Sequence, residues 1–368
     1  MIGRICVLLV ALAALIAATP LAAPARAAWG SYVLVGKALL ESDPSCASES
    51  PGAVFCAAVG PGGKLMFARY IAFTWTGWTS AAETVTSAPS CSSASLGNVV
   101  CAARNASLEM ITYFDASGTV SSGVVAPVII GSAPGCAPVS TSGGVLCAAR
   151  SPSGALVAAL YNGNSTFSSA DWSIIQAVAS TVYSPVNCAL AGDLAGDLIC
   201  AWLTKGSAVA TRVFSAGTAT WAPEGDIGGT ATNPPICTAS GLNIYIGCFA
   251  TGTNSALFGN LFGPGPIKGI PAWGGWGSFA GLVHGYSCVD DDATATSVTF
   301  ACGVTGLIDS GFWTNEYNGS SWSGWVQQGT TTFIGAPSCL VLNSKVSPVQ
   351  VMCVITKQNG MAVSITGP

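Results

Sequence analysis

Fourteen of the fifteen cysteines in this chain fall into seven staggered pairs, and no other feature constrains the fold as strongly. The pairs are Cys46/Cys56, Cys91/Cys101, Cys136/Cys147, Cys188/Cys200, Cys237/Cys248, Cys288/Cys302 and Cys339/Cys353. First members recur every 45 to 52 residues, and partners lie 10 to 14 apart. Self-similarity at this period marks a stacked or radially repeated architecture, so the chain reads as seven copies of one supersecondary unit.

The fifteenth cysteine, Cys6, belongs to a segment of another kind. Residues 1–27 carry Arg4, an apolar run from Ile5 to Ala18 and an Ala25-Arg26-Ala27 ending, the pattern of a cleaved secretory signal rather than of a membrane span. Cleavage after Ala27 leaves residues 28–368 as a single secreted, extracellular domain with an even number of cysteines. Export removes the reducing environment that keeps thiols free, so seven disulfides are expected, each bracketing one hairpin. Zinc fails on spacing, because no pair resembles C-x2-4-C and the only histidine is His284. No metal and no cofactor are expected.

Composition fits an all-β exported protein. Only 8% of residues are charged, where about 25% is usual. Without Arg4 and Arg26 the chain keeps 10 basic against 16 acidic residues, a formal charge of −6. Nucleic-acid binding draws most of its affinity from Lys and Arg clusters, and none is present, so such partners are excluded. A hydrophobic content of 50% raises the question of an outer-membrane barrel. Such barrels are even-numbered runs of alternating strands rather than seven cysteine-punctuated units.

Each copy divides into four short segments. The first carries the leading cysteine, often after Pro, as in Ala88-Pro89-Ser90-Cys91. A Gly/Ser/Asn-rich stretch follows, then a β-rich run such as Val99-Val100-Cys101-Ala102-Ala103, so the two read as a hairpin stapled by its disulfide. The third opens on Leu65, Leu108, Leu156, Val209, Leu257 or Leu307, with an aromatic five residues on: Tyr70, Tyr113, Tyr161, Phe214, Phe262 and Phe312. That odd separation places the two residues on opposite faces of a regular strand, or on one face if a bulge intervenes. The fourth is marked by Trp75-Thr76-Gly77-Trp78, Trp273-Gly274-Gly275-Trp276 and Trp322-Ser323-Gly324-Trp325, with single Trp172 and Trp221 elsewhere.

Four strands in each of seven repeats is the arithmetic of a seven-bladed β-propeller. The last copy has three strands and no fourth. Trp29 to Val35 occupies the place before Cys46 that Trp276-Gly277-Ser278-Phe279 occupies before Cys288, so the N-terminal strand is predicted to complete the last blade and close the ring.

Where the repeat reads Gly-x-Leu, an aromatic after the third strand, then Trp-x-x-Trp, it resembles the seven-bladed propeller lectins of the PLL type and, more distantly, tectonin-like propellers. The resemblance is clearest over 63–78 and 306–325, and this chain adds a cysteine pair per blade. It implies monosaccharide binding, commonly of fucose or methylated sugars, in pockets between adjacent blades, without catalysis. Glycans or glycoproteins are the expected partners. A structural or adhesive propeller that binds proteins is the alternative reading, and a glycosidase or sialidase-like hydrolase the third.

A hydrolase of sugars needs two facing carboxylates, and a sialidase an arginine cluster besides. The mature chain has only Arg69, Arg104, Arg150 and Arg212, each in a different repeat. Arg104 and Arg150 share one slot, three residues after the second cysteine, which allows them to converge across neighbouring blades; two exposed strand residues in a repeated slot is the preferred reading. Asp290-Asp291-Asp292 reads as a solvated hairpin tip rather than a Ca²⁺ loop, and His284 as structural or solvent-facing.

An indole suits the apolar face of a sugar but also packs between twisted sheets. The second Trp of each pair (Trp78, Trp276, Trp325), with Trp29, Trp172 and Trp221, is assigned to packing ahead of ligand contact. The first (Trp75, Trp273, Trp322) occurs in three copies only, so those three are the preferred sugar contacts.

Overall fold

A computed structural model describes residues 29–367 apart from 96, 140–142, 165, 179–180, 192–196, 240–244, 265–270, 291–298 and 344–348. The signal segment 1–27, Asp291 and Asp292 lie outside the described residues. Regular structure among those described is antiparallel β, with two three-residue turns of 3-10 helix, Pro61–Gly63 and Ser169–Asp171.

In every repeat the two cysteines face each other across adjacent strands: Cys46 and Cys56, Cys91 and Cys101, Cys136 and Cys147, Cys188 and Cys200, Cys237 and Cys248, Cys288 and Cys302, Cys339 and Cys353. Their Cα atoms are 4.0 to 4.1 Å apart, and all seven bonds lie within a repeat, as the spacing requires. The stapling role is the one that spacing predicts, and the second member of each pair is buried besides. Cys56, Cys101, Cys147, Cys200, Cys248, Cys302 and Cys353 are at most 1% exposed, because each lies on a strand whose sheet is covered on both faces. Cys147, Cys200, Cys248 and Cys302 pack in four different apolar layers between repeats, so they are core residues as well as staples and are closed to any ligand.

In repeat 1 the strands Ser45–Ser50, Ala53–Gly60 and Lys64–Ile71 run in order, followed by the short pieces Thr74–Trp75 and Thr79–Thr84, which both pair with the third strand. The other repeats follow the same plan. Two long strands, Gly277–Val289 and Val326–Asn343, leave the outer edge of one repeat and become the first strand of the next, joining repeats 5, 6 and 7 into one 11-stranded sheet.

The core lies between repeats rather than within them. Every residue of Ala53–Gly60 is buried, because its sheet is covered on both faces. Val54, Cys56 and Ala58 meet Leu340, Met352 and Val354 of repeat 7, while Phe55, Ala57 and Val59 meet Val99, Cys101 and Ala103 of repeat 2. Equivalent apolar layers separate each consecutive pair of repeats. First strands are rich in Ser, Ala and Gly because they approach one another closely; a Cβ on Gly135 would collide with the Val186 carbonyl.

The strand Val33–Leu39 pairs antiparallel with Met361–Gly367, and Val35 packs in the layer between repeats 7 and 1. That is the pairing expected for the N-terminal strand.

The third-strand aromatics lie on a regular strand. Leu65 packs toward repeat 2 and Tyr70 toward repeat 7, and Leu156 and Tyr161 likewise face opposite neighbours. The expected openers of repeats 2 and 6 are corrected. Leu108 and Leu307 sit in the turns, and by register with the second strand Met110 and Phe312 open those strands. The slot five residues on then holds Asp115 and Tyr317, in place of Tyr113 and Phe312.

Candidate functional site

Register sorts the tryptophans differently from sequence spacing. Trp75 pairs with Tyr70, Trp172 with Tyr161, Trp221 with Phe214, Trp273 with Phe262 and Trp322 with Tyr317. In all five the ring centroids are 5.1 to 5.5 Å apart. Trp29 takes the same slot in repeat 7: Gly30 N–H donates to the Thr366 carbonyl as Gly274 N–H does to that of Leu261. Its indole lies over Gly367, where a Cβ would collide with it. Trp29, Trp172 and Trp221 therefore belong with the first Trp of each pair, and that Trp is present in six repeats rather than three. Val120, opposite Asp115, stands there in repeat 2.

A residue repeated in this way is a packing residue, and Trp75 shows why. It is 9% exposed, and its Nε1 donates to Ser364 Oγ of repeat 7 at 2.9 Å. Trp273 is half-buried against the layer between repeats 4 and 5. Trp322 packs on Phe279, with centroids 4.3 Å apart, and borders a 270 Å³ recess with Tyr317, Gly274 and Gly275.

The second position, three residues on, holds Trp78, Gly123, Ile175, Glu224, Trp276, Trp325 and Tyr32 in the seven repeats. Trp78 packs in the layer between repeats 7 and 1, close against Gly36. Trp276 and Trp325 each border a cavity between two repeats. The first cavity, 290 Å³, is lined by Trp276, Phe258, Thr230, Thr251, Thr253 and Asn254. The second, 220 Å³, is lined by Trp325, Trp313, Leu282, Val304, Ile308 and Asp309.

The two cavities are built alike. Trp276 Nε1 donates to the carbonyls of Ile227 at 3.0 Å and Gly228 at 3.1 Å; Trp325 Nε1 donates to those of Phe279 at 2.9 Å and Ala280 at 3.2 Å. Each indole is thus fixed over a glycine of positive φ, Gly229 or Gly281, where a Cβ would meet its ring nitrogen at 2.8 to 2.9 Å. Upstream, Asn260 Oδ1 accepts from Gly275 N–H at 2.9 Å, as Asn315 Oδ1 does from Gly324 N–H at 3.0 Å. By register Phe258 answers to Trp313, and Asn254 to Asp309. Each side chain of the latter pair accepts the backbone N–H two residues on.

The polar contents differ. Asp309 Oδ2 also accepts Trp313 Nε1 at 3.0 Å and is, among the described residues, the only charged group bordering the second cavity; the first has none. Beside Trp276 an aromatic wall meets hydroxyl and amide groups, with no charged group among the described lining residues, which makes a small site for an uncharged polar molecule with an apolar face; beside Trp325 the described lining is apolar and aromatic, with Asp309 as its side-chain acceptor. Sequence reasoning ranked Trp276 and Trp325 behind Trp75, Trp273 and Trp322. Counting three residues past the first Trp in every repeat was the signal that separates an occasional residue from a universal one.

The remaining candidates fall outside these cavities. His284 is exposed and borders a shallow recess with Thr305 and Phe333. Arg69 pairs with Glu49 and lies 3.8 Å from Asp115, and Arg212 lies 3.8 Å from Glu224. Burial pushes the Asp115 carboxyl up to about 6, against the pull of Arg69.

No protein-family model and no curated protein matches this sequence. Solved structures do. The BP39L lectin from Burkholderia pseudomallei superposes with a TM-score of 0.72 at 14% identity, over 89% of this chain and 96% of the lectin. A fucose-specific lectin from Aleuria aurantia matches at a TM-score of 0.54 and 10% identity, over 80% and 98% of the two chains. BBS1N, solved in complex with ARL6DN, matches at 0.57 and 11%, over 93% and 97%. At such identities the likeness is one of fold: this is an all-β propeller architecture.

Proposed function

We propose that this chain is a secreted, seven-bladed β-propeller of the PLL lectin kind, closed by its N-terminal strand, that binds neutral sugar between blades and carries out no catalysis. The observation that carries the reading is the repeated build of the cavities beside Trp276 and Trp325. The same fixed indole, positive-φ glycine and polar turn recur at successive blade junctions, which is how a repeat protein multiplies a binding site. Seven disulfides support an extracellular setting. The fold likeness to lectins supports carbohydrate as the ligand class.

Hydrolysis of a glycoside needs two carboxylates flanking one bond. Among the described lining residues, the cavity beside Trp325 offers Asp309 alone and the cavity beside Trp276 offers none. Small sites of this kind bind one sugar weakly, so retention on a surface dense in glycan depends on several sites engaging together. A glycan array on the mature protein tests the reading: defined neutral-sugar hits that compete with free sugar only at high concentration are expected, and silence across the array rejects it.

Protein binding is the second reading. It is favoured by the apolar tip Leu307-Ile308, where Ile308 is 83% exposed, and by the likeness to BBS1N, solved in complex with ARL6DN.

A further inference from the structure

Arg104 and Arg150 end the second strands of repeats 2 and 3, each three residues past its cysteine. Of the two readings of their shared slot, separate exposed side chains or convergence between repeats, the second holds. Arg104 Nη1 donates to the Gly131 carbonyl at 2.7 Å, and Arg150 Nη2 donates to the same oxygen at 3.3 Å. Gly131 lies in the link between the two repeats, so both guanidinium groups are drawn to one junction. Arg104 is held further by Thr86, its Nε donating to Oγ1 at 3.2 Å and its Nη2 to the carbonyl at 3.3 Å.

Neither charge is neutralised among the described residues. The other two arginines of the mature protein lie against carboxylates, whereas no described carboxylate comes within ion-pair distance of Arg104 or Arg150. Glu109, close by in sequence, accepts Asn105 Nδ2 instead, at 2.8 Å. Arg150 Nε is buried and has no hydrogen-bond partner, so an N–H has left water with nothing in exchange. Two like charges on one carbonyl, with no carboxylate beside them among the described residues, form an electrostatic deficit that an oxyanion repairs. The forked N–H geometry of guanidinium matches carboxylate and sulfate in particular.

We infer that Arg104 and Arg150 form an anion-binding site between repeats 2 and 3, which takes the carboxylate or sulfate group of an acidic glycan. This rests on the glycan-binding reading and adds a second ligand class to it. By register, Arg150 stands where Thr251 lines the cavity beside Trp276, so one slot of the repeat serves a neutral ligand at one junction and a charged one at another.

The test uses the mature, disulfide-bonded protein on four surfaces: a sialylated glycoprotein, the same glycoprotein after sialidase treatment, heparin, and polyglutamate. Wild type is expected to be held by the sialylated surface or by heparin, which separates carboxylate from sulfate, with retention falling steeply as salt rises. Arg104→Gln with Arg150→Gln is expected to lose at least tenfold there while keeping its hold on the desialylated surface. Melting curves accompany each measurement; if the double variant does not fold, Arg150→Gln alone is expected to show a smaller loss of the same kind. Undiminished acidic retention by a folded variant overturns the inference, as does wild type binding the desialylated surface but neither acidic glycan. Arginine-dependent retention on polyglutamate equal to that on glycans moves the ligand to an acidic protein and overturns it too. No retention on any surface rejects the glycan reading and this inference together.

Discussion

The backbone N–H of Cys46 donates to Ser338 Oγ at 3.0 Å, across 292 residues of chain. The same bond links Cys91 to Ser45, Cys136 to Ser90, Cys237 to the Asn187 side chain and Cys339 to Ser287. At these five junctions the residue before one first cysteine thus satisfies the cysteine of the following repeat, and the last repeat serves the first; Gly135 and Ile236, which hold the slot at the other two, have no side chain that can accept. Removing the hydroxyl leaves that donor without its partner, so Ser338→Ala is expected to cost about 1 kcal/mol, the same as Ser90→Ala at an internal junction. Chemical denaturation of the two variants checks this; a cost at Ser90 with none at Ser338 would show that the first and last repeats do not engage in solution.

Deleting Trp29 to Val35 removes an aromatic from the slot over Gly367, the buried Val35 and part of a strand ladder. The loss is expected to exceed the roughly 3 to 5 kcal/mol typical of one large buried aromatic. A truncated protein that melts with the parent, followed by circular dichroism, would place the N-terminal strand outside the folded unit.

The two tryptophan classes are expected to separate stability from binding. Trp75→Ala opens a void in the layer between repeats 7 and 1 and strands Ser364 Oγ, so it should cost about 3 to 5 kcal/mol. Trp276→Ala with Trp325→Ala removes two cavity walls whose indoles are only partly buried, and should abolish retention on immobilised neutral glycoprotein with a far smaller change in melting temperature. Full retention by the folded double variant would move the sugar sites elsewhere.

Asp115 gives the fold a pH dependence of definite sign. Its folded carboxyl holds a proton up to about pH 6, while the unfolded one releases it near pH 4. Between those values the folded state binds more protons, so this group's contribution to stability is fully present below about pH 4 and is lost as pH rises through 6. Asp115→Asn is therefore expected to match wild type at pH 4 and to exceed it at pH 7, by at most about 3 kcal/mol. Unfolding free energies at the two pH values decide; a variant less stable than wild type at pH 7 would mean that the attraction to Arg69 outweighs burial.

The cysteine period was enough, by itself, to give the number of repeats, the pairing of every disulfide and the antiparallel hairpin around each one. Those properties are local: partners lie within 14 residues, and a strand alternates its faces whatever surrounds it. The strand at Trp29 was legible for a related reason, because a repeat that lacks a member at one end and carries a spare at the other has one way to be complete. The burial of Cys147, Cys200, Cys248 and Cys302 was not, since it comes from the neighbouring repeats that cover their strands. The roles of the tryptophans were not legible either. Turn lengths vary between repeats, so counting along the chain misplaced the openers at Leu108 and Leu307 and grouped Trp29, Trp172 and Trp221 with the wrong partners. Only the hydrogen-bonded register across strands restores the slots. Likewise Arg104 and Arg150, 46 residues apart in sequence, share the Gly131 carbonyl solely because neighbouring sheets pack face to face. Composition and spacing specify what one repeat can bury; which side chains meet between repeats depends on how far each sheet is turned against the next, and that is a property of the assembled packing.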